Sequence, residues 1–219
     1  MSFRLTDTFD GDFLEYEGHK LHLNLCFDNV LRAFELFEDD MFNGFEKVDI
    51  ALEIFVEEYE LIADISIEEK AEMLMFIFRE FLDLEESKFE SEKEDMESQE
   101  VTGKSFDFIQ DAGIIYASFL HVYHIDLFEQ QGKLHWKKFI QLLQHIDDKS
   151  KFKEVVNIRK MPLPKADKYN SEYRRNIAKL KQVYALDKPQ TEEEAAEKVN
   201  RQLSSIADAL KRQTKPKGR

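Results

Sequence analysis

The chain has 219 residues, with 45 Asp/Glu against 31 Lys/Arg, 42% apolar residues, 19 Phe, and only 7 Gly and 4 Pro. That apolar content excludes wholesale disorder, and the scarcity of Gly and Pro disfavours a turn-rich sandwich or barrel and favours long helices. A lone cysteine, Cys26, excludes an internal disulfide or a cysteine-rich zinc site, and no apolar run approaches the ~18 residues of a membrane span. The expectation is a mainly α, soluble chain of a reducing cytoplasm.

The net charge of −14 is unevenly distributed. Residues 1–148 balance at −24 and residues 149–219 at +10. An acidic body repels phosphates, so generic nucleic-acid binding is disfavoured. A basic C-terminal part can dock on something acidic, or simply neighbour its own acidic body.

FLEYEGHKLHLNL alternates apolar and polar residues about Glu17-Gly18-His19, which predicts a short N-terminal β-hairpin. A helix follows from about Asp28, with Val30, Leu31, Phe34 and Phe37 at helical spacing up to the break EDDMFNG. A second is predicted over Phe45 to Ile62, placing Phe45, Val48, Leu52, Phe55, Val56 and Tyr59 on one face. Ser66 and Glu69 form a capping box opening a third, whose AEMLMFIFREFLDL is apolar nearly all round and so reads as central.

Residues 85–105 are acidic and poor in large apolar side chains, and read as an exposed flexible loop. SFDFIQDAGIIYASFLHVYHIDL predicts a helix with apolar residues at 108, 109, 112, 115, 116, 119, 120 and 123. In GKLHWKKFIQLLQHI, helical spacing puts Trp136, Phe139, Ile140, Leu143 and Ile146 on one face and Lys137, Lys138, Gln141 and Gln144 on the other. KFKEVVNIRKMPLPK reads as one helical turn or a strand stopped by Pro162 and Pro164, and EYRRNIAKLKQVYAL as a basic amphipathic helix.

Beyond Pro189, Thr191 and Glu194 suggest a capping box for a last helix with Val199, Leu203, Ile206 and Leu210 on one seam. Two heptads are too short to stand alone, so this segment needs its own body, a partner or a second copy. The domain reading is a helical body at 1–186 and a C-terminal linker, amphipathic helix and basic tail at 187–219.

Candidate chemistry is sparse. His121, His124 and His135 with Asp126 and Glu129 are the nearest approach to a metal constellation, but no His-Glu-x-x-His spacing is present and structural histidines are the alternative. Cys26, with His19 and His22 upstream, reads as a small buried filler rather than a nucleophile. Trp136 beside Lys137 and Lys138 suggests base stacking, yet the lysines point away from it. No nucleophile elbow or phosphate-binding glycine loop occurs. The residues therefore argue for a non-enzymatic protein without metal or cofactor.

Four phrases together carry a family likeness: Tyr123-x-Ile125-Asp126-Leu127, Leu134-His135-Trp136-x-x-Phe139, Ile158-Arg159-x-Met161 and the basic helix ending Tyr184-Ala185-Leu186. With the hairpin leading into Asn24 and Phe27, the chain resembles, over about residues 12–186, the gene-15-product family of long-tailed phages of Gram-positive bacteria. One departure is Lys137, where many relatives carry a second aromatic.

The resemblance implies a tail assembly chaperone-like protein of the host cytoplasm, absent from the finished virion, with the tape measure protein and tail tube protein as partners. The alternatives are a structural tail or connector accessory protein, and a nucleic-acid-binding regulator using Arg174, Arg175, Lys179 and Lys181. Those four basic residues, with Val199, Leu203, Ile206 and Leu210, are the expected partner-binding set.

Overall fold

The computed structural model describes residues 11–82, 105–167 and 169–186. Most of the acidic loop reading and the whole of 187–219, including Val199, Leu203, Ile206 and Leu210, lie outside the described residues. The described residues form a mainly α fold with one two-stranded hairpin, and they group into two compact units. The first contains 11–82 and 131–140; the second contains 105–130 and 141–186.

In the first unit, β1 (Phe13–Tyr16) pairs antiparallel with β2 (His19–His22), Leu14 opposite Leu21. Glu17 and Gly18 both have positive φ, the geometry of a two-residue hairpin turn whose twist suits the strands. Leu14 and Leu21 turn inward, while Tyr16 is only half-buried.

Helix α1 (Phe27–Glu38) buries Phe27, Val30, Ala33, Leu36 and Phe37, and leaves Leu31 and Phe34 half-covered. Its C-terminal end is met by Lys47, whose buried Nζ donates to the Phe37 carbonyl at 2.9 Å. Helix α2 (Gly44–Phe55) opens with a capping box in which Asn43 accepts from the Phe45 and Glu46 amides, while Glu46 accepts from the Asn43 N–H.

The expected helix over 45–62 ends early. At Phe55 the backbone leaves the helix to join the extended segment after β2: Asn24 N–H donates to the Phe55 carbonyl and Glu57 N–H to the His22 carbonyl. Val56 bridges Leu23, and a 3₁₀ turn follows at Tyr59–Leu61. Phe45, expected on the inner face, is 40% exposed.

Helix α3 (Ile67–Phe76) starts on the expected Ser66–Glu69 capping box and widens into a π turn at Ile77–Phe81. Leu74, Ile77 and Phe78 are buried, and Phe78 makes edge contacts with Phe37 and Phe55. Phe76 is exposed, so the helix is covered on fewer sides than its sequence suggests. Lys70 is buried too, its Nζ donating to Asp49 (2.6 Å), the Ala63 carbonyl (2.6 Å) and the Tyr59 hydroxyl (3.1 Å). All three ammonium protons are thereby satisfied.

Helix α5 (Trp136–Gln144) begins in this unit. Trp136 is 5% exposed and edge-on to Phe34, and Phe139 stacks on Phe27 at 4.9 Å between ring centres. The inward tryptophan is as expected, and a platform for stacked bases is ruled out by its burial.

In the second unit, α4 (Ala112–Tyr123) is shorter than the run from Ser105 suggests, because 105–111 is occupied by turns built on Asp107. Its core residues are Ile115, Ser118 and Phe119, whereas Ile109 and Leu120 stay exposed. Leu143 and Ile146 are buried here, while Ile140, in the first unit, is half-buried.

The stretch read as a turn or strand is a full helix, α6 (Lys151–Lys160). Ser150 caps it by accepting from the Lys153 amide, and Phe152, Val155 and Val156 repeat at helical spacing on its buried side. The prolines beyond suggested a shorter element, but Pro162 follows the C-cap and stops the helix only after ten residues. Helix α7 (Ser171–Val183) follows and packs on α6.

A candidate partner-binding surface

Helix α7 is attached mainly by polar bonds. Only Ile177 of its residues is buried. Arg159 of α6 forms the centre of the attachment. Its guanidinium grips Asp111 through two bonds, Nη1 to Oδ2 at 2.5 Å and Nη2 to Oδ1 at 2.8 Å. Nη1 also donates to the Ser105 carbonyl and Nε to the Tyr184 carbonyl at 2.6 Å.

Arg159 thus joins the segment before α4, the α4 cap and the C-terminal end of α7. The planar fork supplies directions a lysine ammonium cannot. Lys181 donates to the Arg159 carbonyl at 2.7 Å, Lys151 to the Tyr184 hydroxyl at 2.9 Å, and Gln110 to the Ala185 carbonyl at 3.1 Å.

The four basic residues expected in the partner set divide into two pairs. Arg174 donates to the Pro164 carbonyl and Lys181 to that of Arg159, so both tie α7 to its own unit. Arg175 and Lys179 are exposed.

Beside them α7 exposes Tyr173 (58%), Leu180 (45%) and Val183 (72%). At about 100° per residue these three fall within an arc of about 80° that also holds Asn176, with Glu172, Lys179 and then Arg175 next around the helix. Covering such part-exposed side chains would gain on the order of 1 kcal/mol each. The outer face of α7 is therefore an apolar stripe with a charged edge on which two basic residues, Lys179 and Arg175, outnumber Glu172. The basic residues were visible in the sequence; the stripe was not, because helical periodicity marks apolar positions without saying which remain uncovered.

A contrasting exposed patch lies on the first unit, at the turn between α1 and α2. Met41 is 85% exposed, and Phe42 and Phe45 are 38% and 40% exposed. Glu38, Asp39, Asp40 and Glu46 accompany them in the chain. The sequence reading passed this stretch over as an acidic break.

The candidate metal histidines do not form the arrangement their spacing suggested. His121 lies on α4, while His124 is its C-cap, with φ of 57° that ends the helix, so helical i,i+3 geometry does not extend to it. His135 is in the first unit and buried. Lys137 N–H donates to its Nδ1, so Nε2 carries the proton and donates to Asp12 at 2.9 Å. It is a structural histidine joining two distant parts of the chain.

Among the described residues, the trio His22, Glu57 and Glu58 brings possible ligand atoms within 4.8 Å of one another. The His22 ring and backbone N–H both donate to Glu58 at 2.6 Å, which accounts for the cluster as a hydrogen-bonded pair on an exposed surface. Those two bonds hold the Glu58 carboxyl below its usual range.

Cys26 is half-buried, and burial followed by the nearby Asp28 and Glu57 charges pushes its thiol pKa up. This is opposite to what activates a nucleophilic cysteine.

No helix among the described residues is long and apolar enough to cross a membrane. No curated protein and no solved structure matches the chain significantly. The family model described as "Bacteriophage Gp15 protein" matches residues 6–186, most of the chain and all of the elements above. The protein belongs to the bacteriophage Gp15 family.

Proposed function

We propose that this phage protein is a non-enzymatic, tail assembly chaperone-like factor that binds the tape measure protein, tail tube subunits, or both, during tail morphogenesis. It acts in the host cytoplasm and leaves before the virion is complete. The observation that carries the reading is the outer face of α7, where Tyr173, Leu180 and Val183 stay exposed beside Arg175 and Lys179.

A helix face with a narrow apolar stripe and a charged edge suits another amphipathic helix, and a long helical client offers that surface repeatedly. Each contact is small. Many contacts along one client bind strongly through effective concentration, and single contacts release readily once tube subunits compete.

The test is co-expression with the tape measure gene of the same phage. The expected result is a soluble tape measure protein that co-purifies with this chain, and loses it when Leu180→Asp and Val183→Asp are introduced. A tape measure protein equally soluble alone would refute the reading. Abundant copies of this chain in purified virions would instead make it a structural component.

A further inference from the structure

The two exposed apolar patches are electrostatic opposites. The α7 stripe is bordered by Lys179 and Arg175 together with Glu172, the single acidic residue of that helix, so its edge keeps a net positive charge. The α1–α2 turn presents Met41, Phe42 and Phe45 in a stretch containing Glu38, Asp39, Asp40 and Glu46 and just one basic residue, Lys47. Lys47 is buried and bonded to the Phe37 carbonyl, so it does not offset the acids at the surface.

We propose that these patches are the two halves of a head-to-tail self-interface, in which α7 of one copy docks on the α1–α2 turn of a second copy.

Three features argue for this occupant. Charge complementarity is built into the chain, since residues 1–148 balance at −24 and residues 149–219 at +10. Pairing two acidic turns would oppose equal charges, and the α7 edge keeps a net positive charge that the turn complements, so a heterologous interface is favoured over a symmetric one. The turn also offers the side chains a helix can settle among, an unbranched Met41 between two aromatics.

Both patches are small, well short of the ~800 Å² per partner of a stable complex, so the association is weak and salt-sensitive. A heterologous contact that does not close makes a linear array. The inference does not depend on the identity of any client; because both use the α7 face, self-association and a client would compete for it.

Sedimentation velocity of the full chain, from micromolar to near-millimolar concentration, tests it. Wild type should show a mass rising with concentration at low salt and falling to monomer at high salt. The variants R175E/K179E and E38K/D40K should each weaken association about tenfold or more, the first by opposing like charges and the second by cancelling the turn's net charge. All four side chains are exposed, and unchanged circular dichroism and Trp136 emission would show that the fold is kept.

The deciding measurement is the mixture. In R175E/K179E plus E38K/D40K an unaltered turn again meets an unaltered α7, so association should return as pairs of unlike copies. A wild type that stays monomeric at all concentrations overturns the proposal. So do variants that associate like wild type, or a mixture that fails to recover; the acidic partner of α7 would then be its own body or another protein.

Discussion

Replacing Arg159 with methionine tests how the second unit is held together. The substitution keeps a long apolar stem and removes the guanidinium. The Asp111 side chain is 3% exposed and loses both bonds of the fork, keeping the Asp107 N–H at 3.0 Å as a donor. Removing one partner of a buried pair strands the other charge, at a cost of about 3–5 kcal/mol. The Tyr184 carbonyl also loses its donor but lies at a helix end, where water can replace it.

For a chain of this size that loss corresponds to a melting temperature lower by about 6–20 °C. Thermal unfolding by circular dichroism gives the magnitude, and hydrogen exchange resolved by peptide gives the place: protection should fall in 105–130 and 151–186. Adding Asp111→Asn removes the stranded charge and should recover about 1 kcal/mol or more. A single variant within about 1 kcal/mol of wild type, or a double variant no better than the single, would refute the reasoning.

At Gly18, φ is +82° and an added Cβ meets nothing within 4 Å, so Gly18→Ala should cost about 1 kcal/mol from backbone strain alone, with Gly18→Asn costing less in the same melt. Burial pulls the Lys70 amine's pKa down, but its bonds to Asp49 and Tyr59 outweigh this and leave it raised. Its contribution is therefore complete below the unfolded value of about 10.4 and lost as pH rises through the folded one. Lys70→Met should flatten that alkaline decline, and an unchanged profile would remove Lys70 from the account. Glu58 has the opposite sign: its depressed pKa gives stability above about 4.3 that is lost on acidification, and Glu58→Gln should remove that dependence from acid titrations of the fold. Cys26 should react with iodoacetamide at neutral pH more slowly than a free thiol and recover the ordinary rate in urea; fast labelling of the folded chain would contradict its raised pKa.

The sequence showed most clearly what depends on local chemistry. The turn at Glu17-Gly18, the Ser66–Glu69 capping box and the inward face of Trp136 and Phe139 are set by residues a few positions apart, and each appears as expected. Long-range bonds set what was missed. Helix α2 stops at Phe55 because residues 22–24 take over its hydrogen bonds, and nothing near Phe55 announces that. In α6 the valines' β propensity gave way to the Ser150 cap and packing through Phe152, Val155 and Val156.

For the candidate surface, Arg175 and Lys179 could be named from the sequence, but separating them from Arg174 and Lys181 required knowing where the carbonyls of Pro164 and Arg159 lie. Arg159 itself was visible as part of a family phrase, without any sign that it fastens three segments.

The short extended stretch from His22 to Phe27 has a further consequence, for the order in which the chain can fold. Its backbone bonds to Asp12 on one side, to 55–57 on another and, through Leu25 and Phe27, to Trp136 and Leu134. His135 and Asp12, paired across the same region, are 123 residues apart. As the chain emerges from the ribosome, the hairpin and α1–α3 can assemble early, but the Phe27 and Phe34 rings lack Phe139 and Trp136 until the polypeptide has grown past α4. The first unit is thus finished by a segment made late, and any product truncated before residue 134 would leave that aromatic face open to the cell.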